Sequence, residues 1–367
     1  MIVSDAEAPP EADKLDGAPH PRFANQVFGH MQAEAEFLSA FTADRMHHAW
    51  MITGPKGIGK ATLAWRLARF LLATPDDDGG MFAAPVPQTL DVAADHPVAR
   101  RMAALAEPRM FLLRRPWNSK TEKISTQITI DETRKLKGFF QMSAADGGRR
   151  AVIVDAADEM NVSAANALLK VLEEPPDRST LLLVSHQPAR LLPTIRSRCR
   201  MLRLNPLGSD DLAFALDQTG LVTEDGAGLH RLAQGSVGEA VALAEAGGPA
   251  LYSQLVALFA SLPDLDRAAA QRLAQSNTSE MQFSLVLKLI DRILARLART
   301  GATGQAPPEI IAGEADMLRR LAPNPAACKD WAARCEGLTA RARRGRAVNL
   351  DPSLLILDMC LALQPGA

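Results

Sequence analysis

Short runs of wholly apolar residues alternate with segments of helical period in the first part of the chain. Beyond Pro206 only the helical period continues. Residues 49–53 (AWMIT), 151–154 (AVIV) and 181–184 (LLLV) are mostly apolar at consecutive positions, and 201–204 is a shorter run. Such runs suit strands buried on both faces, as in a parallel sheet between helices. After the first run, ATLAWRLARFLL places Leu63, Leu67 and Phe70/Leu71 at helical spacing. Residues 128–130 lead into a second helix, with Asp131 expected as its cap and Leu136 and Phe139/Phe140 on its apolar face. A third helix is expected over 163–174, stopped by Pro175 and Pro176. Residues 74–116, rich in Asp, Pro and Ala, show only one helical piece, at 96–105. Residues 210–216, 229–233 and 238–246 predict three short helices, and from Pro249 the chain predicts helices interrupted near 300–308 and 323–325.

The expected layout is an acidic, Pro/Ala-rich lead over 1–20 that is disordered, an α/β domain over 21–205, a helical lid over 206–248 and an all-α domain over 249–367. A length of 367 residues accommodates this. The net charge of −1 and pI near 6.7 give no global basic field, so any contact with DNA is local or made through partners. No apolar run is long enough to cross a membrane, and the first twenty-odd residues lack the pattern of a signal or transit peptide. Cys199, Cys328, Cys335 and Cys360 show no CxxC spacing and no paired His, so neither a zinc site nor a disulfide framework is expected, and a reducing cytoplasm suits them.

Candidate chemistry begins at Gly54-Pro55-Lys56-Gly57-Ile58-Gly59-Lys60, which matches the first seven positions of GxxxxGK[ST] between a strand and a helix. In such a loop Gly54, Gly57 and Gly59 let backbone N–H groups turn onto phosphate oxygens, the helix N-terminus adds its positive end, and Lys60 reaches the outer phosphates. The following residue should supply a hydroxyl to Mg²⁺ and is Ala61; Thr62 lies one residue further, rotated by about 100° on a helix. The run 151–154 ends at Asp155, suited to holding magnesium through water, but the next residue, where a catalytic Glu would polarise the attacking water, is Ala156. Asp158 and Glu159 are expected to form a solvated turn. Whether the loop retains ATP or ADP is left open at this level.

The most specific string is Asn166-Ala167-Leu168-Leu169-Lys170-Val171-Leu172-Glu173-Glu174-Pro175-Pro176. It resembles the NALLKxLEEPP signature of bacterial replicative clamp loaders, AAA+ proteins that load the sliding clamp. Ser197-Arg198-Cys199 resembles their Ser-Arg-Cys segment, and residues 54–60, Ile130-Asp131-Glu132 and Gly235-Ser236-Val237-Gly238 fall in the family's order. The likeness covers roughly residues 20–245, while the C-terminal helices agree in class and length alone. It implies an AAA+ P-loop core with a helical lid and a C-terminal oligomerisation domain of collar type. It also implies partners: catalytic gamma/tau-type subunits, a delta-type subunit and, through the assembly, the sliding clamp and primed DNA. Hydrolysing members carry GK[ST], an Asp-Glu pair and a lid arginine where this chain has Ala61, Asp155-Ala156 and Gly238. That pattern resembles the family's non-hydrolysing stator subunit, which needs no cofactor. Many members carry four zinc-binding cysteines after the P-loop helix; residues 72–127 contain none, so zinc is not expected.

By the same resemblance Arg198 is an arginine finger acting on the ATP site of an adjacent subunit, a role that a permanent charge and a planar fork suit. Arg196 and Arg200 beside it, and Arg341, Arg343, Arg344 and Arg346, are expected to be surface charges. Two other readings stay open: a hydrolysing clamp-loader subunit in which Thr62 replaces the missing ligand, and a P-loop small-molecule kinase, which leaves the NALLKVLEEPP helix unexplained.

Overall fold

The computed structural model describes residues 10–15, 18–75, 85–141, 148–220 and 226–364, apart from the side chain of Cys335. The chain divides into two compact units, one of residues 1–222 with 234–241 and another of 223–233 with 242–367. The segment expected as a lid, 206–248, is thereby shared between the two.

In the first unit the strands are β1 (Ala49–Thr53), β2 (Met110–Arg114), β3 (Trp117–Asn118), β4 (Lys123–Ile124), β5 (Arg150–Asp155), β6 (Ser179–Ser185) and β7 (Arg200–Arg203). Five form a parallel sheet in the order β2-β5-β6-β1-β7, and β3 and β4 make a separate antiparallel pair. The helices are α1 (Met31–Thr42), α2 (Lys60–Ala73), α3 (Pro97–Ala103), α4 (Ile130–Gln141), α5 (Val162–Glu173), α6 (Pro193–Arg196) and α7 (Ser209–Asp217).

The consecutive apolar positions of the central strands divide between two cores. Trp50, Ile52, Ala151, Ile153, Leu182 and Val184 pack with Phe37 of α1, Leu63, Trp65 and Leu67 of α2 and Met102 of α3. Ala49, Met51, Val152, Val154, Leu181 and Leu183 face the other way, onto Leu136 of α4, Leu168 and Leu172 of α5 and Ile195 of α6. Alternate side chains of a strand point to opposite faces, so a sheet covered on both sides needs apolar residues at every position. The Asn161 side chain accepts from the Ala164 amide (2.8 Å) to start α5, and the Pro175-Pro176 pair follows its end. Asp131, expected as a cap, lies instead inside the first turn of α4 and pairs with Arg134.

The antiparallel pair β3–β4 and the short helix α6 went unpredicted, as did two larger elements. Helix α1 buries Ala33, Phe37 and Ala40, and edge strand β2 lies in the stretch where composition obscured any period. The expected disordered lead also differs. Residues 1–9 and 16–17 lie outside the described part, but Glu11, Asp13 and His20 are tied into the α/β unit. Arg114 at the end of β2 pairs with both Asp13 and Glu11, the latter at 3.0 Å, and His20 packs edge-on against Trp65 of α2.

The second unit holds α8 (Gly226–Ala233), α10 (Gly248–Ala260), α11 (Arg267–Ser276), α12 (Glu280–Thr303), α13 (Glu314–Leu321), α14 (Pro325–Ala347) and α15 (Pro352–Leu361); α9 (Val237–Glu245) spans the division. Side chains of Asp266, Ser279, Asn324 and Asp351 accept from first-turn amides of α11, α12, α14 and α15. Glu314 is wholly buried and accepts from Tyr252 Oη (2.5 Å), Arg296 Nε (2.6 Å) and the Ile310 amide (2.7 Å), joining α10, α12 and the start of α13. Among the described residues no helix is long and apolar enough to cross a membrane. Because removing this carboxylate leaves Tyr252 Oη and the Ile310 amide without that acceptor and the Arg296 guanidinium without its counter-charge, Glu314→Ala is expected to destabilise this unit by about 3–5 kcal/mol. Tyr252→Phe, which loses one bond to a charged acceptor, should cost about 1.5–3 kcal/mol. Urea unfolding followed by helical circular dichroism measures both.

Candidate functional site

The loop between β1 and α2 has the backbone of a phosphate loop. Gly54, Gly57 and Gly59 all have positive φ, and α2 starts at Lys60. What lies against it is unlike an open nucleotide site. Ser236 Oγ donates to the Lys56 carbonyl (2.9 Å) and accepts from the Glu239 amide (3.1 Å), capping α9. The Gly238 amide donates to the Gly57 carbonyl (2.9 Å). A Cβ on Gly57 would lie 2.5 Å from Ser236 Oγ, and one on Gly238 only 2.9 Å from Gly57 Cα. Two glycines thus allow the start of α9 to rest directly on the loop. The position where the resemblance expects a lid arginine is this contact point.

Lys60 is buried and donates to the carbonyls of Gly54 (2.8 Å) and Pro55 (2.5 Å), so its ammonium closes the loop on itself. Burial pushes Lys60 down to about 8, against the favourable field of Asp155 and Asp158. Ala61 follows with no oxygen to offer, and Thr62 sits half-buried one position along α2.

Asp155 closes β5 and is pushed up to about 7, first by burial and then by the Asp13 and Glu159 carboxylates, with Lys60 opposing them. Asp13 belongs to the N-terminal segment. Burial pushes Asp13 up, but His20 and Arg114 together more than offset this and hold its carboxyl below its ordinary value. Leu15, two residues on, lies 3.3 Å from where a Cβ on Gly238 would stand. Ala156 is buried and carries no base.

Asp158 and Glu159 do not form the solvated turn expected. Asp158 accepts from the amides of His186 (2.9 Å) and Gln187 (3.2 Å), tying the end of β5 to the end of β6, while Glu159 pairs with Arg115 at 2.6 Å. Neither carboxylate is placed as a substitute base. Burial pushes His186 down to about 4, so it is neutral at pH 7. Its Nδ1 and the fully buried Ser185 Oγ have no hydrogen-bond partner among the described residues. The structure therefore brings Gly54, Gly57, Gly59, Lys60, Thr62 and Asp155 to one end of the sheet. Lys60 is engaged by its own loop, Ser185 is wholly buried, and the Asp155 and Asp158 carboxylates act on the buried Lys60.

Arg198 lies apart from that set. Pro193 starts α6, Ile195 anchors it in the second core, and the turn brings the Arg198 amide 3.1 Å from the Ile195 carbonyl before β7 begins. The guanidinium donates to the Thr194 carbonyl (3.1 Å) and pairs with Glu173 at the end of α5 (2.9 Å), with 36% of the side chain exposed. Arg200 pairs with Glu36 (3.0 Å) and lies over Trp50, a surface charge as expected. Burial pushes the Cys199 thiol up to about 12, which leaves it unreactive. Arg341, Arg343 and Arg346 pair with Asp358, Asp291 and Glu280, so most of the C-terminal basic cluster is neutralised locally.

Sequence reasoning missed the Gly57–Gly238 contact and the Glu11–Asp13–His20–Arg114 cluster. Both join residues on the order of a hundred or more positions apart, which no local pattern reports.

The arrangement is that of an α/β chain with a phosphate-type loop between the first strand of its parallel sheet and the helix that follows. Residues 29–208 match the family described as DNA polymerase III, delta subunit. The chain is similar to curated delta' subunits. It is 41% identical over 152 residues to DNA polymerase III subunit delta' of Pseudomonas aeruginosa, covering 41% of each chain. It is 31% identical over 209 residues to delta' of Escherichia coli, covering 57% of this chain and 58% of that one. The tau subunit of Escherichia coli is more distant, 26% identical over 289 residues that cover 75% of this chain and 41% of tau. The chain spans about half the length of the delta' relatives it matches.

The displaced titration of Asp155 gives a signed prediction. With a folded value near 7 against an ordinary 3.8, the folded state holds an extra proton between those values, and the stability this group contributes is lost as pH rises through about 7. Asp155→Asn, which is neutral throughout, is expected to raise the melting temperature relative to wild type at pH ~8, and to change it little at pH ~4. Thermal melts at the two pH values check this; a larger gain at the acidic value would contradict it.

Proposed function

We propose that this chain is the non-hydrolysing stator of a replicative sliding-clamp loader and presents Arg198 to the ATP site of a neighbouring subunit. One asymmetry carries the reading. The chain's own loop has no magnesium hydroxyl or base, is covered by the start of α9 and faces clustered carboxylates. Arg198, by contrast, sits on a firm turn with its guanidinium half-exposed and makes its contacts away from that loop. Kinship with delta' subunits supports it.

In this role Arg198 stabilises the charge that develops on the γ-phosphoryl oxygens as the neighbour's ATP is cleaved, while the neighbour supplies Mg²⁺, base and loop. Gly54, Gly57, Gly59, Lys60, Thr62 and Asp155 keep the frame of a nucleotide site without its turnover. The protein needs no zinc or other cofactor of its own. Its partners are gamma/tau-type ATPase subunits and a delta-type subunit, with the sliding clamp and primed DNA met through the assembly in the cytoplasm. The second unit, built of helices, is the surface that joins the subunits.

The test compares the chain alone with the reconstituted assembly. The chain alone is expected to show no MgATP turnover above background. Arg198→Ala in the assembly should lower the rate at the site it faces by about 10³-fold or more. Substantial turnover by the isolated chain would overturn the stator reading, and unchanged assembly ATPase would overturn the role of Arg198.

A further inference from the structure

Glu173 is poorly placed for the helix that carries it. It is the last residue of α5, with Glu174 as the C-cap. A carboxylate in the last turn opposes the negative end of the helix dipole. The strands and cores do not use it either, since its side chain is 48% exposed. Its ion pair is with Arg198, at 2.9 Å, and the other amino group of that arginine donates to the Thr194 carbonyl at 3.1 Å. Two acceptors on two different helices, α5 and α6, thus hold one guanidinium. Pro193 and the buried Ile195 fix the second acceptor, and the buried Leu172, next to Glu173, fixes the first.

We infer that Glu173 is a positioning residue for Arg198: its carboxylate aligns the guanidinium before a neighbour's phosphate arrives. This rests on the reading of Arg198 as the group presented to that neighbour. An arginine side chain has many rotamers to lose, and a contact that removes part of that freedom beforehand leaves less to lose at the phosphate. The strength of the pair suits alignment rather than capture. Half-exposed ion pairs are weak, far too weak to hold the guanidinium back from a polyphosphate with its Mg²⁺. The carboxylate therefore sets the direction of the fork and yields part of it when the phosphate competes. It acts through Arg198 and does not touch nucleotide.

A double-mutant cycle in the reconstituted assembly tests this. Glu173→Ala is expected to lower kcat about two- to five-fold at unchanged KM for ATP, the scale of a half-exposed ion pair. Glu173→Gln, which keeps an acceptor, should fall between it and wild type. The ratio of wild type to Glu173→Ala should shrink as salt rises, because a pair of this exposure is screened, whereas a packing role would not respond. In an Arg198→Ala background Glu173→Ala should have no further effect. If Arg198→Ala itself changes nothing, the finger reading fails and this inference with it. If Arg198→Ala slows the assembly but Glu173→Ala is silent, or raises kcat, or slows the Arg198→Ala assembly as much as the wild type, the positioning role alone is overturned. Matched thermal melts of the isolated variants show that the fold is unchanged in each comparison.

Discussion

Charge balance at the end of the parallel sheet governs what this molecule can do. A polyanion is held there only where N–H groups, lysine and metal outweigh the carboxylates that position the metal. Here the buried Lys60 is engaged by the carbonyls of its own loop, Asp13 and Glu159 are paired with Arg114 and Arg115, and Asp155 is crowded enough by burial and neighbouring carboxylates to be pushed up to about 7. With Ala61 in place of the hydroxyl, no side chain next to Lys60 recruits the magnesium that would offset them. The frame of the loop is also the core: Ile58, Leu63 and Trp65 are buried in it.

The same balance bears on the role proposed for Arg198. Arginine cannot be deprotonated in a protein, and its planar fork matches phosphoryl oxygens, so the proposed role at a partner's site calls for no metal or base beside it. It needs a fixed turn and access to solvent. Ile195 in the core supplies the first, and the exposed ends of α5 and α6 supply the second. The helix signature and the Ser-Arg-Cys segment, read as separate strings in the sequence, meet as the Glu173–Arg198 pair.

Much of the fold was legible because its determinants are local. The short apolar runs at 49–53, 151–154 and 181–184 suited strands covered on both faces, and the Pro175-Pro176 stop placed the end of α5 within a residue. Strand β2 was hidden because an edge strand is half-buried and its stretch is dominated by Asp, Pro and Ala. Helix α1 was passed over although Ala33, Phe37 and Ala40 share a face. In the candidate site, Ala61 and Ala156 could be named from motif spacing, and Arg198 from the Ser-Arg-Cys resemblance. The roles of Asp158 as a tether, of Gly238 as a contact surface and of Asp13 as a pocket carboxylate depend on long-range pairing, which composition and period do not carry.

The proposed role of Arg198 at another subunit's phosphate rests on its fork and not merely on its charge. Single-turnover ATP cleavage by the assembly with Arg198→Lys in this chain tests that most directly, since lysine keeps the charge and loses the fork. The expected rate lies far below wild type, near that of an assembly lacking the side chain altogether. A lysine variant that cleaves ATP at the wild-type rate would contradict the role.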